Sequence, residues 1–452
     1  MKYTVLLLMS MPYLLYAQNR QSKVDWLKEH VINLDGIDLG KVAESSLKAL
    51  DEVVQNKRVI VLSEQTHHDG GMLVAQAELL NYLHHKHNFN GLLIERGFHG
   101  TWQANSEIYA EKDSVAGVFM WLTHLSGHHL QRSDRLIAKI IEKSLVSDSP
   151  IMLGGTDILE TSTYVNTTDS LLKQWIDMLP TELVSKAVAD YDKFIDFRQR
   201  ITRYDYFSSS KITRINYEIY YDLLCSLVAY VESIPESVLS AAQLEDRSYL
   251  IQSLNSQYHD HLYRKGYHLQ EKHKLKYNPY NRMRDSIMAN NLLFYLDSHP
   301  NMKFVVIVSS FHAAKAPPLY TKQYTGESVR PMLSIVAEEY CSQIYSIGAI
   351  RYSGYQGKNG TDWRTYKKIK PAKSNSMEAL LHQTGVKAGL LDFSNRFVKE
   401  SWLNSDQIMM QTERANKPRN WLQVYDGVLF IDEMTPDRMS TDISRIGLKQ
   451  PY

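Results

Sequence analysis

Cysteine is nearly missing from this 452-residue chain, where Cys225 and Cys341 are the only two. Two cysteines cannot build a disulfide-rich scaffold or a four-cysteine zinc site, and no C-x-x-C pair occurs. An excess of either charge is missing too: 51 Lys and Arg face 50 Asp and Glu, leaving a formal charge of +1. That balance supplies no bulk attraction for nucleic acid or for an anionic membrane. Past the N-terminus no run approaches the roughly 18 apolar residues of a membrane span, so none is expected after processing. The G-x-S-x-G elbow of ordinary serine hydrolases is absent, as are H-E-x-x-H and the phosphate-binding G-x-x-x-x-G-K-[ST] loop. What is present is ample apolar material, 44% of residues, which supports a large core and excludes a mostly disordered chain.

The first residues read as an export signal. Lys2 gives the positive start, Val5-Leu6-Leu7-Leu8-Met9 through Leu14-Leu15 the apolar stretch, and Ala17-Gln18 the cleavage point. Residues 1–17 are therefore expected to be removed, leaving a periplasmic or secreted protein from residue 18 to residue 452. In such a compartment Cys225 and Cys341 could pair.

Strand and helix patterns alternate along the chain. Arg58–Ser63 is a short β-branched run, and after Gly70-Gly71 the residues Met72, Ala75, Leu79, Leu80 and Leu83 recur at helical spacing to about His87. Gly91-Leu92-Leu93-Ile94 then forms a second strand. This βαβ unit requires parallel strands and a right-handed crossover. Further runs at 151–154, 303–308, 344–347 and 427–431 extend an α/β fold, a mostly parallel β-sheet flanked by helices. From about 171 to 280 no strand is evident and helical spacings dominate, which predicts a large helical insertion. Its Tyr204, Tyr206, Tyr217, Tyr220 and Tyr221 suit a helical core better than a cleft wall. Residues 353–360 read as a glycine-rich loop after a strand, more readily an ordinary surface loop than a lid over a site.

Ligands of parallel sheets bind at the carboxyl ends of strands. Here those ends carry Glu64-Gln65-Thr66-His67-His68-Asp69, Glu95-Arg96-Gly97, Gly155-Thr156-Asp157 and Ser309-Ser310-Phe311-His312. His67, near the start of the next helix, would be kept neutral by the helix N-terminus and so be able to take a proton near neutral pH. A carboxylate, Glu64 or Glu95, would fix its tautomer. Any one of these residues alone is commonly a cap or a packing group; together with His312 they form a candidate catalytic set. The same four could also ligate zinc or iron.

Three blocks resemble the erythromycin esterase-like family: Ser63-Glu64-Gln65-Thr66-His67, Arg284-Asp285-Ser286-Ile287-Met288-Ala289-Asn290-Asn291, and the strand leading to Ser309-Ser310-Phe311-His312. Weaker echoes are Gly155-Thr156-Asp157 and residues 425–432. The resemblance implies a metal-independent, cofactor-free hydrolase of a macrolide lactone ester. It makes His67 the general base on water, Glu64 and Glu95 the acidic site residues, and His312 the second motif histidine. Arg284 becomes a candidate oxyanion or substrate contact, with a structural salt bridge as the alternative, and Asp157 a further substrate-side candidate.

Four positions depart from the family pattern: Ser63 and His68 replace glycines, Ser309 replaces a histidine, and Gln76 replaces an arginine. The substrate-side groups are thus expected to be His68, Gln76, Ser309, Asp157 and Arg284, acting on a small ester or lactone. Two other readings use the same residues. One is a metal-dependent hydrolase. The other is a non-enzymatic periplasmic protein binding haem or another hydrophobic ligand, suggested by His124, His128 and His129 and by related haem-binding folds.

Overall fold

The computed structural model describes residues 20–66, 69–110, 132–159, 165–203, 216–276, 278–316, 329–357, 366–409 and 418–435. The signal segment, His67, His68, His124, His128, His129, Tyr204 and Tyr206 lie outside the described residues.

Among the described residues nine strands form one sheet: β1 (Ile32–Asn33), β2 (Val59–Glu64), β3 (Phe89–Gly97), β4 (Met152–Asp157), β5 (Lys303–Ser309), β6 (Ile344–Gly357), β7 (Tyr366–Ile369), β8 (Ala388–Asp392) and β9 (Gly427–Met434). Their order is β1-β8-β9-β6-β2-β5-β3-β4, with β7 paired to β6. The ladders joining β4, β3, β5, β2, β6 and β9 are all parallel; β1, β7 and β8 attach antiparallel. The sheet is thus mostly parallel, with antiparallel additions.

Alternation along each strand sorts side chains onto two faces. On β2, Ile60 and Leu62 join one apolar cluster while Val59 and Val61 join another; on β5, Val305 and Ile307 join the first and Phe304, Val306 and Val308 the second. Both faces are covered, which is why these strands read as unbroken apolar runs. Helix α1 (Gly70–His87) covers the first face through Met72, Ala75, Leu79, Leu80 and Leu83. The second is covered by α2 (Asn281–Ser298), α3 (Met332–Tyr340) and α4 (Met377–Thr384).

A third apolar cluster is built from the helices spanning Val165–Asp177, Thr181–Arg203, Tyr217–Glu232 and α5 (Ala241–Lys272), with Leu179 and Ile234 from their connections, and no described residue between 165 and 276 is in a strand. Tyr217 and Tyr220 are buried within it, whereas Tyr221 is exposed. Helix α5 belongs to both layers. Ser240 and Gln243 close a reciprocal capping box at its start, and Leu250, Leu254, Tyr258 and Leu262 pack into the helical cluster. Gln252 Nε2 donates to Asn291 Oδ1 of α2 at 2.6 Å, and Asn291 Nδ2 donates to the Thr156 carbonyl at the end of β4 at 3.0 Å.

One sequence expectation is corrected. Residues 353–357 are not loop but the end of β6, paired with β7 from Gly354–Ile369 to Gly357–Tyr366. Gly354 has φ +115°, and a Cβ there would lie 2.2 Å from the Met434 carbonyl oxygen. The glycine serves this close strand approach and not a turn. Residues 358–360 lie outside the described residues.

Candidate active site

Parallel pairing brings the ends of β4, β3, β5 and β2 to one edge of the sheet, and two helix-borne charges meet them there. The pairing of β3 with β5 stops at Ile94–Ile307, and the register of β3 with β4 shifts between Ile94 and Gly97. Irregularities of this kind re-aim side chains near functional sites. Here Glu95 sits in the irregular stretch. Its Oε2 accepts the Ser309 backbone N–H at 2.7 Å, two residues past the last pair with β5.

The other oxygen of Glu95 faces two cations. Arg284 Nη2 donates to Glu95 Oε1 at 3.0 Å, and His312 Nε2 stands 3.5 Å from the same oxygen. Arg284 is tied to Asp157 as well, through Nε to Oδ1 at 2.9 Å and Nη2 to Oδ2 at 2.6 Å, a planar fork that a lysine could not reproduce. On the other side of the imidazole, His312 Nδ1 is 2.7 Å from Asp285 Oδ1, which also accepts the Met332 N–H at the start of α3 at 2.9 Å. With all five side chains charged, three carboxylates and two cations sum to −1. All five are largely buried, Arg284 being the most exposed at 19% of its side chain.

Burial alone would push the His312 imidazole down, but the charges of Asp285 and Glu95 and their hydrogen bonds outweigh it and lift its pKa to about 10. His312 is therefore an imidazolium at neutral pH, fit to donate a proton or a hydrogen bond and unfit to act as a base. Arg284 also loses solvation, and the Asp157 and Glu95 carboxylates more than compensate, holding it protonated.

Each described residue singled out from sequence now has a place, whereas His67 and His68 lie outside the described residues. Glu95, His312, Ser309, Arg284 and Asp157 form one bonded cluster, and the salt-bridge alternative for Arg284 is the arrangement found. Glu64 ends β2 directly opposite Ser309, and strand alternation sets it on the face of Ile60 and Leu62, toward α1. Gln76 is 1% exposed and donates to the Ser63 carbonyl at 2.8 Å, so in this conformation it fastens α1 to β2. Ser63 itself is tied into the core, accepting Ala349 N–H at 2.9 Å and lying 3.1 Å from the Ser310 hydroxyl.

Sequence reasoning passed over Asp285, although it is adjacent to Arg284 in the middle motif. The two neighbours on α2 divide the work, one gripping Asp157 and Glu95, the other His312. Also unanticipated is a cavity of about 640 Å³ lined by Leu159, Tyr263, Tyr267, Leu275, Lys274 and Arg284, among others, which meets the cluster at Arg284. Its size is typical of small-molecule sites. Among the described residues no group of three or more His, Cys, Asp or Glu side chains is arranged to hold a metal ion.

These features define an α/β protein with a charge-paired cluster beside a cavity at the carboxyl edge of its parallel strands, where ligands of such sheets bind. The chain belongs to the erythromycin esterase family, whose description matches residues 84–434. The match includes Glu95, Asp157, Arg284, Asp285, Ser309 and His312 and begins after the Glu64–His67 block. Over 427 residues the chain is 24% identical to YbfO of Bacillus subtilis (strain 168), described as a hydrolase candidate, and the alignment covers 91% of each protein. Similar solved structures include a Bacillus cereus protein (TM-score 0.72, 14% identity, 93% of this chain and 99% of that one). A second is a succinoglycan biosynthesis protein (TM-score 0.69, 13% identity, 93% and 99% covered). A third is a mutant erythromycin esterase in its open conformation (TM-score 0.66, 16% identity, 91% and 99% covered). At these identities the structural likenesses establish the fold.

Proposed function

We propose that this protein hydrolyses a carboxylic ester or lactone with water activated by His67. The observation that carries this reading is the placement of His312 between Asp285 and Glu95 at the strand edge, in a cluster whose Arg284 also lines the cavity. Water gives its proton to His67 as its oxygen bonds to the substrate carbonyl carbon. The resulting oxyanion collapses, the ester C–O bond breaks, and His312 donates to the departing alkoxide oxygen. Glu64 orients His67 or the water; Glu95 orients His312. The family name and the hydrolase description of YbfO support the reaction class. A macrolide is one candidate substrate, although Ser309 and Gln76 stand where the family's macrolide esterases carry histidine and arginine.

We place the protein outside the cytoplasm, on the character of residues 1–17. N-terminal sequencing of the protein made in its own host should start at Gln18. Among the described residues no helix is long and apolar enough to cross a membrane.

The test is a mass-spectrometric screen of macrolides, simpler lactones and esters with wild type and His67→Ala. General-base catalysis supplies about 10²–10⁴-fold, so kcat should fall by that factor with unchanged folding. Equal turnover by the variant would reject His67 as the base.

A further inference from the structure

One hydroxyl in the cavity wall takes no part in the charge cluster. Tyr263 projects from α5 into the cavity that Arg284 also lines, and only 6% of it is exposed. Its position is fixed on two sides. The ring meets Tyr267 edge-on, with centroids 5.1 Å apart and planes at 88°, and the two hydroxyl oxygens are 3.0 Å apart. Its carbonyl accepts Asn278 Nδ2 at 2.9 Å. Burial holds the hydroxyl well above the usual tyrosine range, with the charge of Arg284 opposing, so it stays a neutral donor into alkaline solution. Arg284, for its part, commits Nε and Nη2 to Asp157 and Glu95, and no bond among the described residues engages Nη1.

We propose that Tyr263 is a substrate-contacting donor: with the Tyr267 hydroxyl donating to it, its own proton meets the carbonyl oxygen of an ester held in the cavity beside Arg284. The inference rests on the hydrolase reading above and deepens it. As the water oxygen bonds to the carbonyl carbon, the C=O electron pair moves to oxygen. That oxyanion takes hydrogen bonds from Tyr263 Oη and Arg284 Nη1 until it collapses and expels the alkoxide. A neutral hydroxyl suits this place because Arg284 is already balanced by two carboxylates. The remaining wall sets Leu159, Leu275 and the two tyrosine rings beside Arg264, Gln270, Glu271 and Lys274, which fits an ester with an apolar body that also bears polar groups.

The experiment compares wild type, Tyr263→Phe and Tyr267→Phe in two assays. With the ester found by the screen, loss of one oxyanion donor should lower kcat about 10²–10³-fold for Tyr263→Phe while KM changes little. Tyr267→Phe should have the smaller effect in the same direction. In the second assay methyl benzylphosphonate, a tetrahedral anion that is not turned over, is titrated by NMR. Wild type should bind it and Tyr263→Phe at least tenfold more weakly. A purely structural tyrosine would lower the melting temperature without this kcat-specific loss. Kinetics of Tyr263→Phe within threefold of wild type would overturn the proposal, as would equal phosphonate binding or none by either protein. If wild type hydrolyses no ester, the hydrolase reading fails, and the phosphonate titration alone then decides whether Tyr263 is an oxyanion donor.

Discussion

His312 Nδ1 lies 2.7 Å from Asp285 Oδ1, and both side chains are at least nine-tenths buried. This pair makes stability depend on alkaline pH. The folded imidazole titrates at about 10, above its ordinary value of 6.5, so its contribution is complete below about pH 6.5. It declines as pH rises and is gone once pH passes about 10. The melting temperature of wild type should therefore fall between these limits. In Asp285→Asn the imidazole loses the carboxylate charge beside its Nδ1, and that alkaline slope should flatten. Differential scanning calorimetry across the range checks this; an unchanged slope in the variant would remove Asp285 from the account.

Arg284 gives the second expectation. Arg284→Met leaves Asp157 and Glu95 facing each other without their shared cation, and breaking a buried pair in this way costs about 3–5 kcal/mol. Arg284→Lys restores charge but not the fork, so urea denaturation should show intermediate stability. Activity should be lost in both, since neither side chain presents Nη1 to the cavity.

Gly266 on α5 tests how the site is held in place. A Cβ there would lie 1.9 Å from Asn278 Oδ1 and 2.8 Å from the Tyr280 ring. Asn278 is the clip between α5 and the start of α2: its Nδ2 holds the Tyr263 carbonyl, and its Oδ1 accepts the Tyr280 N–H at 2.8 Å. Gly266→Ala should destabilise by about 1–3 kcal/mol through overpacking. In an Asn278→Ala background the added methyl should cost clearly less, because the nearest atom it strikes is gone and only the Tyr280 ring remains close. Additive effects in the double variant would refute the contact.

Asn291 has 0% exposure and joins β4 to α5 through Thr156 and Gln252. Asn291→Ala takes the donor from the buried Thr156 carbonyl, at about 1–3 kcal/mol, and the acceptor from the half-buried Gln252, whose exposed side lowers its share. Because Thr156 precedes Asp157, kcat should fall along with the melting temperature.

Much of the fold was legible because the parallel strands are buried on both faces and read as apolar runs. The reading of β2, α1, β3, β4, β5 and β9 from such runs, within a few residues, follows from that. Short β1 and β7 and the antiparallel β8 carry weaker signals: Ala388–Asp392 follows a glycine-capped helix and resembles many loop segments. The end of β6 was misread because Gly354 and Gly357 signal turns locally, whereas only the neighbouring Met434 backbone explains Gly354. At the site, strand ends announced Glu95, Asp157 and Ser309. Spacing alone could not reveal that Arg284 arrives from a helix to pair with Glu95 and Asp157, and Asp285 with His312, since those contacts span 127 to 189 positions for Arg284 and 27 for Asp285. Tyr263 carried no motif at all; only the packing of α5 over the sheet edge brings it to the cavity.

That helix runs unbroken for 32 residues. Leu254, seated in the helical cluster, and Tyr267, at the cavity wall, are 13 positions apart on it, roughly 20 Å at 1.5 Å per residue. A rod so anchored transmits tilt: a rotation of the helical layer about its packing contacts would swing Tyr263 and Tyr267 over Arg284 and alter the width of the entrance. Substitutions deep in the helical cluster, far from the charge cluster, would then register first in which ligands the cavity admits.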